Sequence, residues 1–454
     1  MRIHFIAIGG SAMHNLALAL LEKGYEITGS DDEIFEPSRS RLKAAGLLPE
    51  AFGWFPEKIN PSLDAVILGM HAKADNPELL RARELGIKIY SYPEYLYEQS
   101  KNKTRIVIGG SHGKTTITAM ILHAMKYAGI DTDYMVGAKL EGFDVMVRLS
   151  HQADYMVIEG DEYLTSPIDP RPKFHLYRPH IALMSGIAWD HMNVFKTFAD
   201  YKAQFKTFIE LVEPGGKLIY CANDPEVSQL AGKAGKHLQL IPYTGLFQVS
   251  SEEGITHVIY EDRRWPVSVF GSHNMQNMHG AMLVCKQLGI SETTFLKSMA
   301  DFRGAANRLE LVRQGYDSAV YRDFAHAPSK VRATTQALRE KYPNRKIIAC
   351  FELHTYSSLS KEFLPQYQNA LQAADMRMVY YNPHAIELKR LPMLCPEDIK
   401  EAFADPQLLV FNDSNLLNEY LHSLEGQNSC LLMMSSGNFG NLDIQEIAHH
   451  FVKN

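Results

Sequence analysis

One run of residues constrains this chain more than any other: Ile108-Gly109-Gly110-Ser111-His112-Gly113-Lys114-Thr115-Thr116. The β-branched stretch Arg105–Ile108 leads into it, and a helical pattern over Thr115–Tyr127 leads out. A strand that feeds a glycine-rich turn and then a helix belongs to an α/β sheet. Its backbone N–H groups and the helix N-terminus together cradle anionic phosphate. Lys114 is placed to reach β- and γ-phosphates, and the Thr115 hydroxyl to ligate Mg²⁺. Ile108 occupies the first glycine position of the common G-x-x-x-x-G-K-[ST] pattern, so G-x-x-G-K-T-T is what remains. The loop predicts a nucleotide-phosphate site built from Gly110, Ser111, His112, Gly113, Lys114, Thr115 and Thr116.

Strand-like and helix-like stretches alternate around this loop, which predicts parallel sheets with helices on their faces. Expected strands are Arg2–Ile8, Tyr25–Gly29, Ala65–Leu68 and Lys88–Tyr90, with helices over Ala12–Lys23 and Asn76–Leu85. The polar stretch Gln99–Thr104 reads as a linker. Further strands are expected at Tyr155–Ile158, Ile181–Met184 and Lys217–Tyr220, then hairpin material over Gln248–Phe270 and a helix over Asn277–Leu288. A last unit carries strands at Ala319–Tyr321, Ile347–Cys350, Met376–Tyr380, Leu408–Phe411 and Cys430–Met434, with helices over Lys330–Lys341 and Leu364–Ala374. At 454 residues the chain is too long for one core and suggests about three domains.

A net charge of -6 argues against nonspecific nucleic-acid binding, which needs a basic excess. The five cysteines are dispersed and never form C-x-x-C, as expected for free thiols in the cytoplasm. No apolar run is long enough for membrane insertion. The N-terminal MRIHFIAIGGSAMHN is broken by His4, His14, Asn15 and a glycine pair, so it reads as strand, turn and helix, not as a signal peptide.

Several polar groups sit where such sheets place ligands. Gly9-Gly10-Ser11-Ala12-Met13 lacks the full G-x-G-x-x-G fingerprint. Asp31, at the end of the second strand, could meet a ribose hydroxyl, or it could simply be solvated. Glu159-Gly160-Asp161-Glu162 follows a strand in the unit of the phosphate loop, and one of its acids, Glu162 first, suits a metal. Asp190-His191 follows another strand and offers a second metal or substrate contact. Ser272-His273-Asn274-Met275-Gln276-Asn277 precedes a helix and either reads a base edge or caps that helix. Arg308 can neutralise a phosphoryl group, or it forms a surface ion pair. Asp323 lies just after a strand.

In order, GGSHGKTT, VIEGDEY, WDHMN, GSHNMQN, RLEL and DFAHAPS resemble the Mur ligase family of ATP-dependent amide-forming enzymes. The N-terminal RIHFIAIGGSAM with GSDD resembles that family's UDP-sugar domain. The resemblance implies an α/β, three-domain Mur ligase architecture. Residues 1–103 would form a Rossmann-like UDP-sugar domain, 104–309 a central P-loop-type ATPase domain, and 310–454 a Rossmann-like domain for the amine substrate. It implies ATP and Mg²⁺ as cofactors, and UDP-N-acetylmuramate with a peptide or amino-acid amine as substrates. Lys114 would contact the γ-phosphate, Thr115 and Glu162 would hold one Mg²⁺, and His191 a second. Asn274 and Asn277 would face adenine, Arg308 would stabilise phosphate, and Asp323 would meet the ATP ribose. Gly10, Ser11, Met13, Asp31 and His71 would receive UDP, and His354 the amine substrate.

Within the family, Asp161-Glu162-Tyr163 continuing to Asp169–Phe174, Asn76-Pro77 and Met434–Gly440 resemble the branch that attaches L-alanyl-γ-D-glutamyl-meso-diaminopimelate in peptidoglycan recycling. Phe351–Ser357 is closer to the branch that attaches L-alanine. The first is the favoured expectation and the second its alternative. A nucleotide-binding regulator and an NAD-dependent oxidoreductase are readings of other classes. Departures from the family pattern are Gly186, Ala188, Asn193, Asn307 and Ala327, and Phe205 stands where some members carry a carbamylated lysine.

Overall fold

The structure, a computed structural model, describes residues 1–245, 247–252, 255–305 and 308–452; Asn307 lies outside them. The chain divides into two compact units that are discontinuous in sequence. The first comprises Met1–Ile187, Lys202–Thr244 and Gly280–Ser298. The second comprises Ala188–Tyr201, Gly245–His279 and Met299–Asn454.

Among the described residues the first unit holds two large sheets and a two-stranded antiparallel ribbon, Leu164–Ser166 with Asp169–Pro172. Strands Glu26–Ser30, Arg2–Ile6, Ala65–Leu68 and Ile89–Ser91 form a parallel four-stranded sheet in that order. Ala-Val-Ile-Leu at 65–68 is buried at every position. A parallel strand covered on both faces needs an unbroken apolar run, not an alternating one. The second sheet has seven strands, with Thr104–Gly109 flanked by Ile181–Met184 and Tyr155–Glu159. Only its edge strand Val147–Arg148 runs antiparallel.

In the second unit, Ser318–Asp323, Ser429–Met434, Lys346–Leu353, Met376–Tyr381 and Leu409–Phe411 run parallel in that order, and Glu310–Gln314 is an antiparallel edge. Its core packs Tyr321, Phe351, Tyr367 and Phe403 against Met192, which comes from the Ala188–Tyr201 segment. Trp189, from the same segment, stacks edge-on against Phe363 at 5.7 Å.

Three expectations give way. The helix anticipated at Leu364–Ala374 is a 3-10 turn over Leu364–Tyr367. Asn369 there turns left-handed (φ 58°), and its N–H donates to the Phe403 carbonyl at 3.2 Å, which diverts the backbone from helical bonding. The hairpin expectation over Gln248–Phe270 holds: Gln248–Glu252, Ile255–Tyr260 and Arg263–Val267 form a three-stranded antiparallel sheet, with positive φ at Glu261 and Asp262 in its second reversal. The helix expected from Asn277 begins at Ser272. Of the stretch read as a linker only residues 101–103 form a turn; its ends are the last residues of helix Tyr92–Ser100 and the first of strand Thr104–Gly109. Ser91 and Glu94 cap that helix reciprocally, a signal that outweighs the local polarity.

Candidate active site

The phosphate loop joins strand Thr104–Gly109 to helix Lys114–Tyr127. Gly110 (φ 130°) and Gly113 (φ 78°) take conformations that L side chains rarely adopt. A Cβ on Gly110 would also lie 2.1 Å from the Ser185 hydroxyl. The Ser111 N–H donates to the Gly186 carbonyl at 2.9 Å, and the Ser185 hydroxyl donates to the His112 carbonyl. The loop is thus fastened to the end of the neighbouring strand Ile181–Met184. Gly113 offers no capping side chain, and the N-terminal turn of a helix suits an anion.

Beneath the loop, the Lys114 ammonium donates to the Gly110 carbonyl at 2.6 Å and to the Glu162 carboxylate at 2.7 Å. Burial alone would lower this ammonium, but the Glu162, Asp161 and Glu159 carboxylates outweigh burial and hold it above its ordinary value. The Thr115 hydroxyl donates to Glu159 at 2.7 Å, and the Gly137 N–H donates to the other Glu159 oxygen at 2.8 Å. Of the three acids, then, Glu159 meets Thr115 and Glu162 meets Lys114. The signal for Glu159 was an acid closing an otherwise apolar buried strand. Among the described residues, no three His, Cys, Asp or Glu side chains gather as a metal site. Thr115, Glu159 and Glu162 are hard oxygen donors of the kind Mg²⁺ takes together with phosphate.

In the N-terminal sheet, Gly10 precedes helix Ser11–Glu22 and again offers no capping side chain. Asp31 is buried, and its carboxylate accepts from the N–H groups of Gly9 at 2.7 Å and Asp32 at 3.0 Å. Burial is the main cause that pushes it up to about 6, against the hydrogen bond from Gly9. Met13 is buried, while Ser11 and His71 are exposed.

In the second unit, the structure draws together residues the sequence left apart. Asp190 is buried, with Lys330 Nζ at 3.4 Å and His326 Nε2 at 3.7 Å. Burial would raise its carboxyl, but Lys330, His326 and His191 hold it well below the usual carboxylate range. His191, half-buried with φ 53°, donates its backbone N–H to Asp190 at 2.8 Å. Asp323 accepts from the N–H groups of Leu309 and Ala325, both at 2.6 Å. Burial raises its carboxyl, with the Arg308 charge opposing. The Arg308 guanidinium lies 4.6 Å over the Phe324 ring. Asn274 and Asn277 are buried in the first turns of helix Ser272–Gln287, so Asn274 does not occupy the cap position. Asn274 donates to the Phe270 carbonyl at 3.0 Å, and Asn277 donates to Asn274 at 3.3 Å. His354 lies apart from these, beside Glu352 at 3.7 Å.

The chain matches the Mur ligase middle domain over residues 108–285 and the domain described as Mur ligase family, catalytic domain, over residues 2–104. It is 31% identical to UDP-N-acetylmuramate--L-alanine ligase of Limosilactobacillus reuteri over 385 residues, 83% of this chain and 84% of that one. To the ligase of the same name from Aquifex aeolicus it is 30% identical over 368 residues, 78% of each chain. Among solved structures, UDP-N-acetylmuramate-alanine ligase from Thermotoga maritima aligns at TM-score 0.71 and 21% identity, over 99% of this chain and 98% of that one. UDP-N-acetylmuramate:L-alanyl-gamma-D-glutamyl-meso-diaminopimelate ligase from Neisseria meningitides aligns at TM-score 0.60 and 25% identity, over 67% of this chain and 98% of that one. The fold is the three-domain α/β Mur ligase architecture. The chain therefore belongs to the Mur ligase family, whose members are ATP-dependent ligases that form amide bonds.

Proposed function

We propose that this ligase joins the carboxylate of UDP-N-acetylmuramate to the amine of L-alanine through an acyl phosphate, in the cytoplasm. The observation that carries the reading is its 31% identity to an L-alanine-adding ligase over 83% of the chain. The muramate carboxylate attacks the γ-phosphorus of ATP and ADP leaves. The amine then attacks the acyl carbon, and phosphate departs. Lys114 binds the γ-phosphate, exchanging Glu162 for the ligand, and Arg308 neutralises phosphate charge. Thr115, with Glu159 and Glu162, would hold Mg²⁺, and His191 a second ion. Bound Mg²⁺ offsets the negative charge of the phosphates. Asn274 and Asn277 face adenine, and Asp323 faces the ribose.

We assign residues 1–103 to the UDP-sugar, 104–309 to ATP and 310–454 to the amine. Gly10, Ser11 and His71 meet UDP directly. Asp31 and Met13, both buried, shape the turn that receives it.

A second reading, with L-alanyl-γ-D-glutamyl-meso-diaminopimelate as the amine, is favoured by the 25% identity to the Neisseria ligase of that substrate. The Asp169–Phe174 motif, whose first four residues form a strand paired with Leu164–Ser166, favours it too. Phosphate release with ATP, Mg²⁺ and UDP-N-acetylmuramate separates the two. Turnover with L-alanine and none with the tripeptide is expected, and the reverse selects the second reading.

A further inference from the structure

Strands Lys346–Leu353 and Ser429–Met434 are parallel neighbours in the middle of the six-stranded sheet. After the first, the chain proceeds to strand Met376–Tyr381 on one side. After the second, it proceeds to helix Ile444–Phe451, which packs on Glu310–Gln314 and Ser318–Asp323 toward the other side. Connections that part in this way leave a crevice at the carboxyl ends of the two strands, where open α/β sheets bind ligands.

Glu352 lies at this point and is 2% exposed. Its Oε2 accepts from the Ser435 hydroxyl and from the Phe439 N–H at 2.8 Å, and the Gly437 N–H donates to the Ser435 hydroxyl at 2.6 Å. The turn at 435–439 is therefore wound around one carboxylate. A Cβ on Gly437 would lie 2.5 Å from His354 Nδ1 and 2.9 Å from Glu352 Oε2, so the turn packs closely against both side chains. Glu352 Oε1 is left facing His354 Nδ1 at 3.7 Å, and the His354 side chain is 41% exposed. Burial would raise the Glu352 carboxyl, but His354, the Ser435 hydroxyl and the Phe439 N–H hold it below its ordinary value. The Ser436 hydroxyl, in the same turn, is enclosed without a hydrogen-bond partner among the described residues.

An ionised carboxylate facing Nδ1 favours the tautomer that carries its proton there. It leaves Nε2, on the opposite edge of the ring, as an acceptor. We propose that Glu352 is a positioning residue that fixes His354 as a hydrogen-bond acceptor for the N–H of the amine substrate at this crevice. The proposal rests on the ligase reading above and on the expected contact of His354 with the amine, and adds to them Glu352 as the group that orients that contact.

Glu352→Gln is the informative variant. A glutamine oxygen can still accept from Phe439 and Ser435, while its NH₂ faces Nδ1 and turns the imidazole to the other tautomer. Steady-state kinetics with each substrate varied should show KM for the amine raised about tenfold, the loss expected for one hydrogen bond to a charged group. KM for ATP and for UDP-N-acetylmuramate should not change. His354→Asn should reproduce the defect, and the double variant should be no worse than either single one. An unchanged amine KM, or equal rises in all three KM values, overturns the proposal. Titrating wild type and Glu352→Gln with L-alanine or the tripeptide, following the His354 ring NMR signal, needs no turnover. Wild-type protein that binds an amine but forms no amide refutes the ligase reading alone. Identical shifts in both proteins, or none in wild type, refute the role of Glu352.

Discussion

Removing Lys114 is the obvious test of the ATP site proposed at this loop, and the structure shows why it needs a partner substitution. Lys114 Nζ lies 2.7 Å from a Glu162 oxygen, and the two side chains are 14% and 1% exposed. Lys114→Met deletes the cation and leaves the Glu162 carboxylate buried without the ammonium that faces it. Breaking a buried pair from one side costs about 3–5 kcal/mol. At about 2–4 °C per kcal/mol for a unit of this size, Tm should fall by about 6–20 °C. Lost ligation in that variant would mix a chemical loss with a folding loss. Lys114→Met/Glu162→Gln removes both charges and should return Tm to within about 3 °C of wild type, since replacing a buried pair is often near neutral. Phosphate release should stay at background in both variants. Calorimetry and a phosphate-release assay on the three proteins decide the matter. If Lys114→Met melts with wild type, the buried pair does not hold this loop. If the double variant regains ligation, Lys114 is not needed at the γ-phosphate.

Two further outcomes follow from the site's geometry. Asp31 has its carboxyl raised from 3.8 to about 6 by burial, so the folded state holds its proton more tightly than the unfolded chain does. Its stabilising share is complete below about pH 4 and is lost as pH rises through 6, up to about 3 kcal/mol at 1.36 kcal/mol per unit. Urea unfolding between pH 4.5 and 7 should show this decline in wild type and not in Asp31→Asn; parallel curves would contradict it. Gly186 has the His112 ring where its Cβ would go, with Cε1 at 2.4 Å and Nε2 at 2.5 Å. Gly186→Ala should therefore cost about 1–3 kcal/mol by overpacking and raise KM for ATP. Adding His112→Ala should recover the stability, and absence of recovery would mean that the two positions do not collide.

Much of the architecture was legible without coordinates, because α/β units advertise themselves locally. The fully buried strands at 65–68 and 181–184 are unbroken apolar runs, and both have the bounds that the pattern predicts. Legibility failed where a distant group decides the backbone. Leu364–Ala374 has helical composition, yet the Phe403 carbonyl captures the Asn369 N–H. Helix Ser272–Gln287 starts five residues before its apolar pattern begins. Its entry is set in part by Gly271, whose Cβ would lie 2.5 Å from that of Ala337.

The candidate site divides along the same line. The candidate phosphate loop at 109–116 is legible as a strand–turn–helix because the motif proposed for it needs contiguous backbone, glycines at fixed places and a lysine one residue on. Contiguity is a property of sequence, and so is the order of motifs that carries the family resemblance. Pairings across the sheets are not. The partition of acids that gives Thr115 to Glu159 and Lys114 to Glu162 depends on how strand Tyr155–Glu159 lies beside strand Thr104–Gly109. The approach of Lys330 to Asp190 spans 140 residues, and the winding of residues 435–439 around Glu352 joins two strands far apart in the chain. The sequence by itself determined which chemistry the chain can host. The tertiary structure alone decided which charges are buried together, because burial and distance, which set the strength of those charges, exist only once the sheets have closed.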